Sequence, residues 1–181
     1  MKILAFLSLL TFEGWSMDVS KYKGNVSEKT IKNYNKVEQY INYASDAYNV
    51  PRWLLSSLLF IESKFDNNAR SYTGVTGVAQ LTSSTAKHFG ISKATISGQI
   101  HGMAKILRHH INNLPDTYTI EEKYELASLF YSGGKGNSTT GYWFAKKRHG
   151  SGVSVDSIVK YYRLETRNYL KSLRKVKGMF L

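Results

Sequence analysis

The chain contains no cysteine and only two prolines among its 181 residues. The first absence excludes disulfides and thiolate metal sites, and with them a small disulfide-stapled scaffold. Scarce proline and the lack of any repeat or low-complexity stretch exclude a proline-rich linker or a repeat array. The five histidines (His88, His101, His109, His110 and His149) show no HExxH or comparable spacing, so no metal is expected. Acidic residues are also few, 13 against 25 Lys and Arg, which gives a net charge of +12. Such an excess favours an anionic partner: nucleic acid, acidic lipid or a carboxylate-bearing bacterial wall. No recognition motif supports nucleic acid. The one dense basic cluster, Lys171 to Lys177, suits the negative end of a terminal helix.

At this length the chain is one domain, or one domain with an N-terminal extension. Lys2 precedes a ten-residue apolar run, Ile3 to Phe12, and Gly14-Trp15-Ser16 follows with small residues at the minus-three and minus-one positions. The pattern predicts a signal peptide over 1–16 with cleavage before Met17. The run is short for a membrane span, which takes about 20 residues. Residues 17–27 read as a polar arm, and 28–181 as the folded domain.

Periodicity predicts a mainly α domain with short loops. Helices are expected from Ser27 or Glu28 to about Tyr48, and over Pro51–Ser63, Ser83–Phe89 (Thr82 as N-cap, Gly90 closing) and Ala94–Leu114. Thr119-Ile120-Glu121-Glu122 is a capping box for a helix ending near Tyr131, before Gly133-Gly134. Further helices are expected around Thr139–Arg148 and from Val155 to Lys175. Residues 66–81 are turn-rich, with room for at most a small irregular hairpin.

Glu62 is the most informative residue. It follows Leu58 by four positions and Leu55 by seven, so it projects from the leucine stripe of its helix. A carboxylate among leucines is costly unless neutral, paired or functional. Burial favours the protonated form, which is the pattern of a general acid. The plain alternative is a Glu near a helix end that reaches solvent or a lysine.

The motifs around and after Glu62 decide between these. Glu62-Ser63-x-Phe65 is followed by Ala69-Arg70-Ser71, then Gly74-x-x-Gly77-Val78-Ala79-Gln80, and Gln80-Leu81-Thr82 runs on to Thr85-Ala86. Phe130-Tyr131-Ser132-Gly133-Gly134 and Glu165-Thr166-Arg167-Asn168-Tyr169 come later. Their order resembles the signature of bacterial lytic transglycosylases of the soluble-transglycosylase, goose-lysozyme-like type. The resemblance covers about residues 36–172 and implies a lysozyme-like fold with a cleft. It implies peptidoglycan glycan strands as substrate, no cofactor, no nucleic-acid partner and a monomer. It also implies a single catalytic acid, Glu62, which protonates the MurNAc–GlcNAc bond and then takes a proton from the sugar's 6-hydroxyl to close a 1,6-anhydro ring. A water-using goose-type hydrolase and a weakly active wall-binding assembly protein stay open as alternatives.

The resemblance carries substrate-binding roles to Ser71, Gln80, Tyr131 and Glu165. Ser71 either offers a hydroxyl near the N-acetyl group or Glu62, or caps a turn. Gln80 either contacts sugar or braces its loop. Tyr131 is expected close to Glu62. Glu165 follows Ile158 by seven and Tyr162 by three and precedes Tyr169 by four; it either faces the cleft or forms an internal ion pair. Tyr142 and Trp143 read as core before sugar platforms. The departures are Val78-Ala79 where the family has Leu-Met, leaving a smaller surface against a sugar, and Ser132 in place of Asn. They suggest a specialised member serving a secretion machine, a conjugation system or a phage. The expected location is the periplasm or cell wall, or the virion if phage-encoded.

Overall fold

The computed structural model describes residues 17–22, 24–150 and 152–181, with the backbone alone over 134–140. The leader expected over 1–16 lies outside the described residues. Seven α-helices are described: α1 (Glu28–Tyr48), α2 (Arg52–Ser63), α3 (Ser83–Phe89), α4 (Ile96–Asn112), α5 (Ile120–His149), α6 (Val155–Val159) and α7 (Leu164–Val176). Short 3-10 turns, Val19–Lys21 and Lys177–Phe180, lie near the two ends. The only β pairing among the described residues is an isolated antiparallel bridge, Arg70 with Thr76. No described helix is long and apolar enough to cross a membrane.

Helix starts follow local chemistry. The hydroxyls of Ser27, Thr82, Thr95 and Ser154 each accept a backbone N–H of the first turn they precede. Each such cap contributes about 1 kcal/mol. Thr119 and Glu122 form the reciprocal capping box of α5. Gly90 closes α3, and Asn49 closes α1, in left-handed conformations; both residue types enter that region at low cost.

α2 is the axis of the molecule. Every residue from Leu54 to Phe60 is buried, so the leucine stripe is one side of a helix enclosed on all sides. The rings of Tyr34, Phe60, Phe65 and Phe180 pack edge-on or tilted, with centroids 5.2–6.3 Å apart. They tie α1, α2, the turn that follows α2 and the C-terminal turn into one cluster. The expected arm docks on it: Asp18 N–H donates to Met179 O at 2.9 Å, and Tyr22 packs edge-on against Phe60 at 5.6 Å.

Two helix boundaries differ from expectation. α5 does not stop near Tyr131 but continues through Gly133 and Gly134 to His149. Each glycine costs roughly 1 kcal/mol in a helix. Burial of Leu126, Ala127 and Leu129 on one side, and of Tyr142 and Ala145 on the other, offsets that cost. Conversely, the helix expected from Val155 to Lys175 is two helices, broken at 160–163. No glycine or proline marks this break. Tyr162 is buried at the break, and its ring sits 3.1 Å from where a Cβ on Gly141 would stand. Arg167 Nε donates to the Tyr162 carbonyl at 2.7 Å, which holds the corner. The C-terminal basic cluster is partly spent on α5 and α6: Arg174 pairs with Glu125 and Asp156, and Lys177 with Glu121.

Candidate active site

Glu62 occupies the last turn of α2, and the chain leaves that turn in an unusual way. Lys64 and Phe65 are both left-handed, with φ of 54° and 61°. Such conformations cost about 1–3 kcal/mol each outside glycine. The cost is offset by burial of the Phe65 ring in the aromatic cluster and by the Lys64 N–H bond to Phe60 O at 3.0 Å. Ser63 Oγ donates to Val78 O at 2.7 Å and so ties the helix end to the loop that follows.

That loop is held from beneath. Gly77 has φ of +108°, and a Cβ there would lie 2.1 Å from Gln99 Oε1. Only glycine satisfies both conditions. Gln99 is buried, accepts Ala79 N–H at 3.4 Å, and donates to Asn67 Oδ1 and Lys93 O at 3.2 Å. Sequence reading missed it; the available signal was one glutamine in the inward stripe of α4. Val78 and Ala79 are fully buried. This corrects the expectation of a smaller sugar-facing surface: the change alters packing under the loop.

Glu62 opens onto a cleft of about 480 Å³. Gln80, Thr85, Phe89, His110, Tyr131 and Ser132 also line it. Burial pushes the Glu62 carboxyl up to about 7, against a smaller downward pull from its hydrogen bond with Tyr169. Tyr169 Oη donates to Glu62 Oε1 at 2.8 Å, which leaves Oε2 to carry a proton. Tyr131 Oη donates to Ala79 O at 2.5 Å. Both tyrosines are held well above their usual range, first by burial and then by the Glu62 charge. They stay neutral donors around the carboxyl.

The remaining expected residues divide. Gln80 lines the cleft, but its Nε2 donates to Gly77 O at 2.8 Å and Ala69 O at 3.1 Å. Both partners are acceptors, so the amide nitrogen braces the loop and only Oε1 remains for a ligand. Ser71 is outside the described lining. Its Oγ accepts Val75 N–H at 3.0 Å and lies 3.1 Å from Thr73 Oγ1, a turn-bracing geometry. Glu165 is exposed in the first turn of α7 and is also outside the lining. Tyr169, at the other end of the same motif, is the residue that meets Glu62. Tyr142 is buried and Trp143 exposed. Among the described residues no cluster of His, Asp or Glu has the geometry of a metal site.

The family profile described as Transglycosylase SLT domain matches residues 39–149, a span that contains Glu62, Gln80 and Tyr131. The chain belongs to this family. Its helical, cleft-bearing architecture is the mainly α, lysozyme-like fold expected for an SLT domain. Several proteins named membrane-bound lytic murein transglycosylase F are similar to it. The protein from Aeromonas salmonicida (strain A449) is 38% identical over 85 residues, 46% of this chain and 17% of the relative. That from Haemophilus influenzae (strain PittEE) is 32% identical over 127 residues, 65% of this chain and 26% of the relative. That from Sodalis glossinidius (strain morsitans) is 32% identical over 127 residues, 69% and 27% of the two chains. The chain thus spans only 17–27% of the length of these relatives.

Proposed function

We propose that this SLT domain is a peptidoglycan lytic transglycosylase with Glu62 as acid and then base. The observation that supports it is the single carboxyl group in the described cleft lining, raised to about 7 and therefore protonated in much of the molecule near neutral pH. Glycosidases with two protein carboxylates divide acid and nucleophile or base between them. With one carboxyl, the other functions come from the substrate. Glu62 gives its proton to the glycosidic oxygen as the C1–O bond of MurNAc breaks. The acetamido oxygen bonds to C1 and takes the positive charge of the oxocarbenium-like centre onto the cyclised acetamido group, as an oxazolinium ion. The Glu62 carboxylate then takes the proton of the C6 hydroxyl. The C6 oxygen displaces the acetamido oxygen from C1, closing the 1,6-anhydro ring. Because this nucleophile is already attached, little further entropy is lost.

Residues 1–16 serve as the leader, 17–27 as the arm and 28–181 as the catalytic domain of an exported, periplasmic or wall-associated enzyme. The names of the relatives support murein as substrate. The departure at Ser132, which lines the cleft, supports a specialised member acting with a secretion, conjugation or phage assembly. Mass spectrometry of digested peptidoglycan tests the reaction: anhydro-muramic ends are expected, and hydrated reducing ends in their place would establish the goose-type hydrolase.

A further inference from the structure

The cleft has a second feature that the acid chemistry does not use. Five rings follow one another edge-on: His88 to Phe89 at 4.9 Å, Phe89 to His109 at 5.2 Å, His109 to His110 at 5.4 Å, and His110 to Phe130 at 5.4 Å. They come from the ends of α3 and α4 and from the middle of α5, and all five line the cleft. Among the described residues neither ring nitrogen of His110 has a hydrogen-bond partner. Burial and the neighbouring His109 push His110 down to about 4, so the ring is neutral when Glu62 is an acid. A neutral imidazole offers one donor and one acceptor.

The charge of the cleft narrows the ligand. The protein carries +12, yet the described lining holds no Lys or Arg. Among the described lining residues an anionic stem peptide would find no fixed cation. An acetamido group offers what this wall complements: a carbonyl acceptor, an N–H donor and a methyl group. We propose that His110, backed by Phe89 and Phe130, recognises an N-acetyl group in a sugar subsite of this cleft, one ring nitrogen donating and the other accepting. This rests on the glycan-cleaving reading above.

The test uses Glu62→Gln protein, so that ligand is bound and not consumed, with two neutral probes: the β-1,4 tetramer of N-acetylglucosamine and the β-1,4 tetramer of glucose. His110→Phe keeps the ring packing and removes both polar atoms. It should weaken the acetylated tetramer about tenfold or more, the combined value of two modest hydrogen bonds, and leave the glucose tetramer unchanged. His110→Gln restores a donor and an acceptor and should recover most of the loss. Equal losses on both probes, no loss on the acetylated one, or no binding of it by Glu62→Gln at millimolar concentration would overturn the subsite. Product analysis of the wild type keeps the two claims separate. Absence of anhydro products with His110-dependent binding intact would remove the reaction and leave the subsite.

Discussion

The end of α2 and the start of α7 carry the same sequence signal and reach opposite outcomes. Glu62 and Glu165 both stand at helical spacing from apolar residues. The structure encloses the first carboxyl between the tyrosines of α5 and α7 and leaves the second in solvent. The difference is continuity. Leu55, Leu58 and Glu62 lie on one unbroken helix, so intervals of four and seven report a common face. Ile158, Tyr162 and Glu165 straddle the break at 160–163, where the helical frame is reset. Within α7 the buried stripe is Thr166, Leu170, Leu173 and Val176. Glu165 shares a side with Tyr169, four positions on, but stands one turn earlier at the exposed start of α7, short of the contact with Glu62, where a negative charge suits the positive end of the helix. A heptad counted across a break reports nothing.

The largest test of this contrast is catalytic. Glu62→Gln should lower the rate of glycan-strand cleavage by roughly a thousandfold, the scale of a lost general acid. Glu165→Gln should stay within about twofold, since its carboxyl lines no described part of the cleft. Release of soluble fragments from purified peptidoglycan measures both. Equal losses would mean that Glu165 reaches the substrate after all, and the contrast would break.

The same distinction, local against tertiary, explains how much of the molecule was legible in its sequence. Helix starts after Thr82 and Thr119 were legible because a cap is written within three residues. The course of α5 through Gly133-Gly134 was not, since apolar burial far along the helix outweighs a local glycine penalty. The break before α7 was hidden because its cause, Tyr162 seated against Gly141, joins residues about 20 positions apart. At the site, Glu62, Gln80 and Tyr131 announced themselves by spacing and motif, and the structure brings them to one cleft. Ser71 was read with two alternatives, and its geometry is that of the turn brace. Tyr169 stood in plain view in its motif. Which end of that motif points inward is decided by how α7 docks on α2, and no local pattern records it.

A smaller effect of enclosing Glu62 falls on stability. The Glu62 carboxyl is raised from 4.5 to about 7 in the folded protein. Between those values the folded state binds more protons than the unfolded state, so stability falls as pH rises. The cost of a buried carboxylate is fully expressed above about pH 7 and absent below about pH 4.5. Glu62→Gln removes it. Urea unfolding should find that variant more stable than the wild type by about 1–3 kcal/mol at pH 8, a range reduced because the side chain keeps some solvent contact. Near pH 4 the two should coincide. A gain for Glu62→Gln that is flat with pH would mean that its carboxyl is not desolvated.

The finest test asks what the α7 contact does for the acid. Tyr169 donates to Oε1, a bond that favours the carboxylate and holds the Glu62 pKa below where burial alone would put it. Tyr169→Phe keeps the ring and deletes that bond. If Glu62 is the acid proposed above, the alkaline limb of kcat/KM follows the loss of its proton and should move to higher pH. The plateau below the limb should fall only a few-fold, by the value of a positioning contact of roughly 1 kcal/mol. Glu165→Gln alters a charge one turn away on the same helix, but solvent screens that charge, and the limb should not move. A pH profile that is identical for Tyr169→Phe and the wild type would reduce Tyr169 to a packing residue. The two ends of its motif would then be equally remote from the chemistry.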